Sequence, residues 1–200
     1  ERSTAGAMNY NQAPAGLLEG FVITGTSSLA GGTVKCRASS ITINDNTISG
    51  NSGTGIKCDQ GGNTAITNNL IVDNLEPGVG CTSSSATISN NTISGNSGVG
   101  IYCYSGTDAV IINNLIAGNL DGGIRCDRST ATIMENTITN NISGQSAGIN
   151  CSRGSNGLIS GNLIAENGST YDNYGGGAII TINSYPLIFD NTILNNESIG

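Results

Sequence analysis

Short bursts of alternating apolar and polar residues run along this chain, separated by clusters of Gly, Asn, Ser and Thr. One unit reads Gly100-Ile101-Tyr102-Cys103, then Ala109-Val110-Ile111, then Leu115-Ile116. No segment sustains a 3.6-residue apolar period, so the bursts predict strands and not helices. The pattern also recurs. Cysteines fall at Cys36, Cys58, Cys81, Cys103, Cys126 and Cys151, at intervals of 22, 23, 22, 23 and 25 residues. An Asn-x-aliphatic triplet keeps the same beat, starting at Asn46, Asn69, Asn91, Asn114, Asn136, Asn162 and Asn191. A fixed period in this range means one stacked unit per repeat, so each repeat position becomes a column along the molecule.

Three short strands and three turns per 22–23 residues make one rung of a parallel β-helix. Because side chains alternate across a strand, four columns are expected to point inward: Val34 to Ile149, the cysteines, Ile43 to Ile188, and Ile48 to Ile193. The third and fourth columns are always five residues apart. Only the return from the fourth column to the first varies. It is eight residues in four rungs, eleven from Ile138 to Ile149, and fourteen if Ala178 begins the last rung. Loops are therefore expected at 139–148 and 165–177, on one edge.

The opening Leu18-Glu19-Gly20-Phe21-Val22-Ile23, the recurring Asn-Thr-Ile-x-x-Asn and Gly-Ile-x-Cys resemble right-handed parallel β-helix repeat proteins of the pectate-lyase-like superfamily. The resemblance covers about residues 18–200 and implies an all-β, right-handed solenoid of about eight rungs. It implies little about chemistry, because that superfamily holds lyases, hydrolases, phage tailspikes, adhesins and non-catalytic repeats. Residues 1–17 are expected to form an N-terminal lead-in or cap, and 18–200 a single β-helix domain.

Composition narrows the partners. Charged residues are only 10% of the chain, and the net charge of −7 argues against nucleic acid. No apolar run approaches the roughly 18 residues of a membrane span. The chain starts at Glu1 and shows no signal peptide, which reads as a mature or trimmed product with a secreted or cell-surface location. Six cysteines in such a protein invite a disulfide framework. In-register neighbours roughly 4.8 Å apart on one column suit disulfide geometry poorly, so buried free thiols are expected. The triplet asparagines and a second set, Asn51, Asn74, Asn96, Asn119, Asn141, Asn167 and Asn196, read as two corner ladders, with Asn taking the left-handed turn and bonding along the stack.

Candidate chemistry gathers beside the cysteines. Six of the seven Lys and Arg residues, Lys35, Arg37, Lys57, Arg125, Arg128 and Arg153, lie within two positions of one. Tyr102 and Tyr104 flank Cys103, and the second loop carries Tyr171, Asp172 and Tyr174. The densest neighbourhood is Tyr102, Tyr104, Arg125, Asp127, Arg128, Asn150 and Arg153, where Tyr rings would meet sugar faces and Arg would pair carboxylates or sulfates. Charges that keep a flat sheet from sticking to another sheet account for the same stripe. With no histidine, Ser–His and Cys–His nucleophile systems are excluded. No cofactor is expected, and a calcium set of several oxygen ligands is not assembled by these positions. Calcium enters only if the chain acts like a pectate lyase. Two readings remain. One is a non-catalytic structural rod that associates with itself end-to-end or side-by-side. The other is a polysaccharide-binding or polysaccharide-cleaving protein using the basic, tyrosine-bearing face.

Overall fold

The computed structural model describes residues 3–5, 7–27, 31–144, 147–170 and 177–198. Each turn of chain contributes one strand to each of three parallel sheets. The cysteine sheet has eight strands, from Met8–Asn11 and Val34–Arg37 through Ile101–Tyr104, Ile124–Asp127 and Ile149–Ser152 to Ile179–Ile182. A second sheet of eight strands runs from Leu17–Glu19 to Leu187–Phe189, and a third of nine runs from Ser3–Ala5 to Thr192–Leu194. Pairing therefore extends upstream of residue 18. Met8–Asn11 pairs with Val34–Arg37 and places Tyr10 against Cys36, at the N-terminal end of the thiol column.

The four inward columns form the core. Ile23, Ile48, Ile71, Ile93, Ile116, Ile138 and Ile164 are all fully buried, and so are the six cysteines. Each Ile contributes about 1.5–3 kcal/mol of transfer free energy. All six thiols are free. Hydrogen bonding to the next thiol, and then burial, push Cys36 and Cys151 far above the ordinary thiol range. At the last described rung, Ile188 and Ile193 are half exposed although they continue buried columns, because no described rung covers them. The glycine of Gly-Ile-x-Cys is required by close approach. A Cβ at Gly100 would stand 2.7 Å from the Gly123 carbonyl oxygen and 2.7 Å from Ile116 Cγ2.

Two expectations need correcting. First, the ladder asparagines are not the left-handed residues. Asp45, Asn68, Asn90, Asn113, Glu135 and Asp190, each one residue earlier, carry φ of 52–57°. The ladder amides do another job. Asn114 Nδ2 donates to Ile88 O in the preceding rung at 2.9 Å, to Ile112 O in its own turn at 3.0 Å, and to Asn136 Oδ1 in the next rung at 3.0 Å. The same relay joins Asn46, Asn69, Asn91, Asn136, Asn162 and Asn191. It satisfies backbone carbonyls that the corner takes out of the sheet. Second, the last rung begins one residue later than expected. Ile149 pairs with Ile179, not Ala178, and Cys151 pairs with Thr181, because the preceding loop absorbs one more residue. Both loops also start in register. Ile142–Ser143, Gly168–Ser169 and Glu197–Ser198 pair as a fourth, three-stranded sheet.

The outer surface of the third sheet alternates rung by rung. Outward Thr47, Leu70, Thr92, Leu115, Thr137, Leu163 and Thr192 stack in one column, and Ser49, Val72, Ser94 and Ala117 stack in the next. Leu70 and Leu115 are each 41% exposed. The repeating structural unit is therefore two rungs, 45 residues from Asn46 to Asn91 and from Asn69 to Asn114.

Candidate functional site

The site lies on the outer face of the cysteine sheet, towards its C-terminal end. Alternation sends the residues on either side of each inward cysteine outward. The column before the cysteines reads Lys57, Gly80, Tyr102, Arg125, Asn150 and Ile180, and the column after them reads Asp59, Thr82, Tyr104, Asp127, Ser152 and Ile182. The residue after that is left-handed in every rung, including Arg128 and Arg153, both with φ of 54°. That turn, unfavourable by about 1 kcal/mol for an ordinary residue, swings both guanidiniums back over the second column.

They converge on Asp127. Its Oδ1 accepts from Arg128 Nε at 3.2 Å, and its Oδ2 accepts from Arg153 NH1 at 2.5 Å. Asp127 is buried even though it faces out of the sheet. Arg128 also donates to the Tyr104 hydroxyl at 3.0 Å and lies 5.1 Å from that ring's centroid. The Tyr102 and Tyr104 rings stack with centroids 5.8 Å apart. Burial, and then the negative charge of Asp127, raise Tyr102 above the ordinary phenol range. At neutral pH Tyr102 is thus a hydroxyl donor and an apolar plate, not a base. Among the described residues, the ion-pair partner of Arg125 is Asp121 alone, at 3.6 Å, with both side chains substantially exposed. An exposed pair of this kind is worth little, so its guanidinium can exchange to a ligand.

Tyr102, Arg125, Asp127, Asn150 and Arg153, together with Ser152, Ile182 and Asn183, line one groove of about 440 Å³. The structure thus brings together five of the seven candidates, with Tyr104 and Arg128 paired alongside. Ile182 and Asn183 were missed because they belong to the rung whose register was placed one residue early. Ser152 was passed over because it stands where Asp127 stands one rung before. Lys35 and Lys57 stack on each other in register and Arg37 donates to Gln60, all on earlier rungs, outside the groove. Tyr171, Asp172 and Tyr174 lie outside the described residues. Among the described residues, no three His, Cys, Asp or Glu side chains come together as a metal site.

A family model described as a right-handed β-helix region matches residues 32–168. The chain belongs to the right-handed β-helix family. The match takes in the cysteine ladder and most of the groove, leaving only Ile182 and Asn183 beyond it. Among solved structures, this β-helix is similar to the DFA-IIIase of Arthrobacter chlorophenolicus A6, determined without its lid and in complex with GF2. The two are 14% identical, with a TM-score of 0.52 over 89% of this chain and 53% of the other. The β-helix thus spans about half of that structure, and the likeness is one of fold. No curated protein matches it.

Proposed function

We propose that this β-helix is a secreted or cell-surface protein that binds an acidic polysaccharide along the outer face of its cysteine sheet. The observation that carries this reading is the groove itself, in which Tyr102, Arg125 and Asn150 stand on three successive rungs of one column. Their spacing of roughly 4.8 Å per rung is close to the length of one sugar ring. A weakly paired guanidinium for an anionic group, a ring for a sugar face and an amide for hydroxyls are the contacts a saccharide chain uses. That the fold also carries the DFA-IIIase, a protein solved with GF2 bound, is consistent with a ligand-binding role. With Tyr102 held protonated and no histidine in the chain, the groove favours binding over proton abstraction.

Isothermal titration with polygalacturonate, with and without calcium, tests this. Arg125→Ala should weaken binding about 10- to 100-fold, the value of a charge-assisted hydrogen bond. Wild-type protein that binds no acidic polysaccharide under either condition refutes it.

A further inference from the structure

We infer that Asn150 determines what the groove accepts: a saccharide carrying a hydrogen-bond donor, hydroxyl or amide N–H, about one rung (~5 Å) from its anionic group. This deepens the glycan-binding reading and rests on it.

Asn150 is only 5% exposed, lines the groove, and its Oδ1 is buried with no hydrogen-bond partner among the described residues. The other buried asparagines supply the contrast. The ladder asparagines from Asn46 to Asn167 are equally buried, and every one of them is engaged. Asn119, for example, donates to Ile93 O and Asn141 Oδ1 while accepting from Asn96. Asn150 belongs to neither ladder. Its own column holds Lys57, Gly80, Tyr102, Arg125 and Ile180, so no stacked amide lies above or below it. A buried acceptor without a donor weakens a fold, and a strand position between Arg125 and Ile180 would be served by an aliphatic residue as well or better. Folding therefore does not explain this asparagine, whereas a ligand donor would.

The neighbours fix the order of recognition. Arg125, one rung towards the N-terminus, takes the carboxylate or sulfate, and Tyr102, one rung further, takes the ring face. Ile180, one rung towards the C-terminus, closes the column with an apolar side chain. A polyanion with no donor satisfies Arg125 and leaves Asn150 unpaired.

The test uses Asn150→Leu, with Asn150→Val as a second variant suited to a strand. Each is titrated with polygalacturonate, dextran sulfate and inorganic polyphosphate, and each is melted without ligand. The expected result has opposite signs. Melting temperature rises by about 2–4 °C as the unpaired acceptor is removed. Affinity for the saccharide falls at least ~10-fold, the loss of one buried hydrogen bond, while polyphosphate affinity stays within twofold of wild type. The two saccharides separate a carboxylate from a sulfate as the anionic partner. Saccharide affinity within twofold of wild type overturns the inference. So does a lower melting temperature in both variants, because Asn150 would then serve the fold. Wild-type protein that binds neither saccharide overturns the glycan-binding reading, and this inference with it.

Discussion

Removing one ladder amide from the middle of the rod, Asn114→Ala, tests the claim that the corners are held by side-chain relays. Asn114 Oδ1 accepts from Asn91 N at 2.9 Å and Asn91 Nδ2 at 3.0 Å. Its Nδ2 reaches three acceptors, Ile88 O, Ile112 O and Asn136 Oδ1, within 3.0 Å. An amide carries two N–H groups, so one proton is shared and the loss amounts to about four bonds. At roughly 1 kcal/mol net per bond, with the stranded partners shut away from water, Asn114→Ala should cost about 4 kcal/mol. That is a large part of the 5–15 kcal/mol that usually separates folded from unfolded chains. Asn191 supplies the control. It accepts from Asn162 N and Nδ2 and donates to Ile159 O and Phe189 O, but it sits half buried on the last described rung. Water can replace those partners, so Asn191→Ala should cost only about 1 kcal/mol. Urea titrations followed by far-ultraviolet circular dichroism would measure both. Equal losses for the two variants, or a loss below about 1.5 kcal/mol for Asn114→Ala, would refute the reasoning that burial, not bond number, sets the cost.

Alkaline pH should destabilise this protein under reducing conditions. Cys36, Cys58, Cys126 and Cys151 have raised pKa values in the fold, so the folded chain holds protons that the unfolded chain releases. Stability is then flat below the unfolded thiol value of about 8.5 and falls above it by up to about 1.4 kcal/mol per pH unit for each of these thiols. Urea midpoints at pH 7, 8, 9 and 10 measure this, and a flat profile contradicts it. Asp127→Asn leaves Arg128 and Arg153 facing each other without their shared carboxylate. Both guanidiniums are more than half exposed, so the cost is screened to about 1 kcal/mol. Thermal melts at 20 mM and 500 mM salt should show that difference shrinking as salt rises.

The core of this molecule was legible because a fixed period leaves little room for register error. Once the cysteines and the Asn-x-aliphatic triplets were aligned, the inward isoleucines from Ile43 to Ile164 followed, and all of them are buried as expected. Legibility failed where the period failed. The long loop before the last rung shifted its start from Ala178 to Ile179, and with it the positions of Ile182 and Asn183 in the groove. It failed again where one residue's role depends on its neighbour. The corner needs both a left-handed residue and an amide, and Asp45 with Asn46 divide those duties, which composition alone assigned to the asparagine. The candidate site was legible as a neighbourhood and not as a geometry. Alternation placed Arg125 and Asn150 on the outer face, but it could not show that Asp127 would be enclosed by two left-handed arginines or that Asn150 would be buried.

The two-rung alternation on the third sheet bears on how a rod of this kind can change length. Asn69-Leu70-Ile71 and Asn114-Leu115-Ile116 are interchangeable as junctions, 45 residues apart, so a crossover between them removes or adds two rungs and leaves every ladder intact. A crossover of one rung also preserves the ladders, but one that loses the Thr92 row sets Leu70 beside Leu115 and fuses separate apolar bands into one exposed sheet surface, whereas one that loses the Leu70 row sets Thr47 beside Thr92. Solubility, not folding, then decides which single-rung changes such a rod tolerates, and those that join two Leu rows should be the ones excluded.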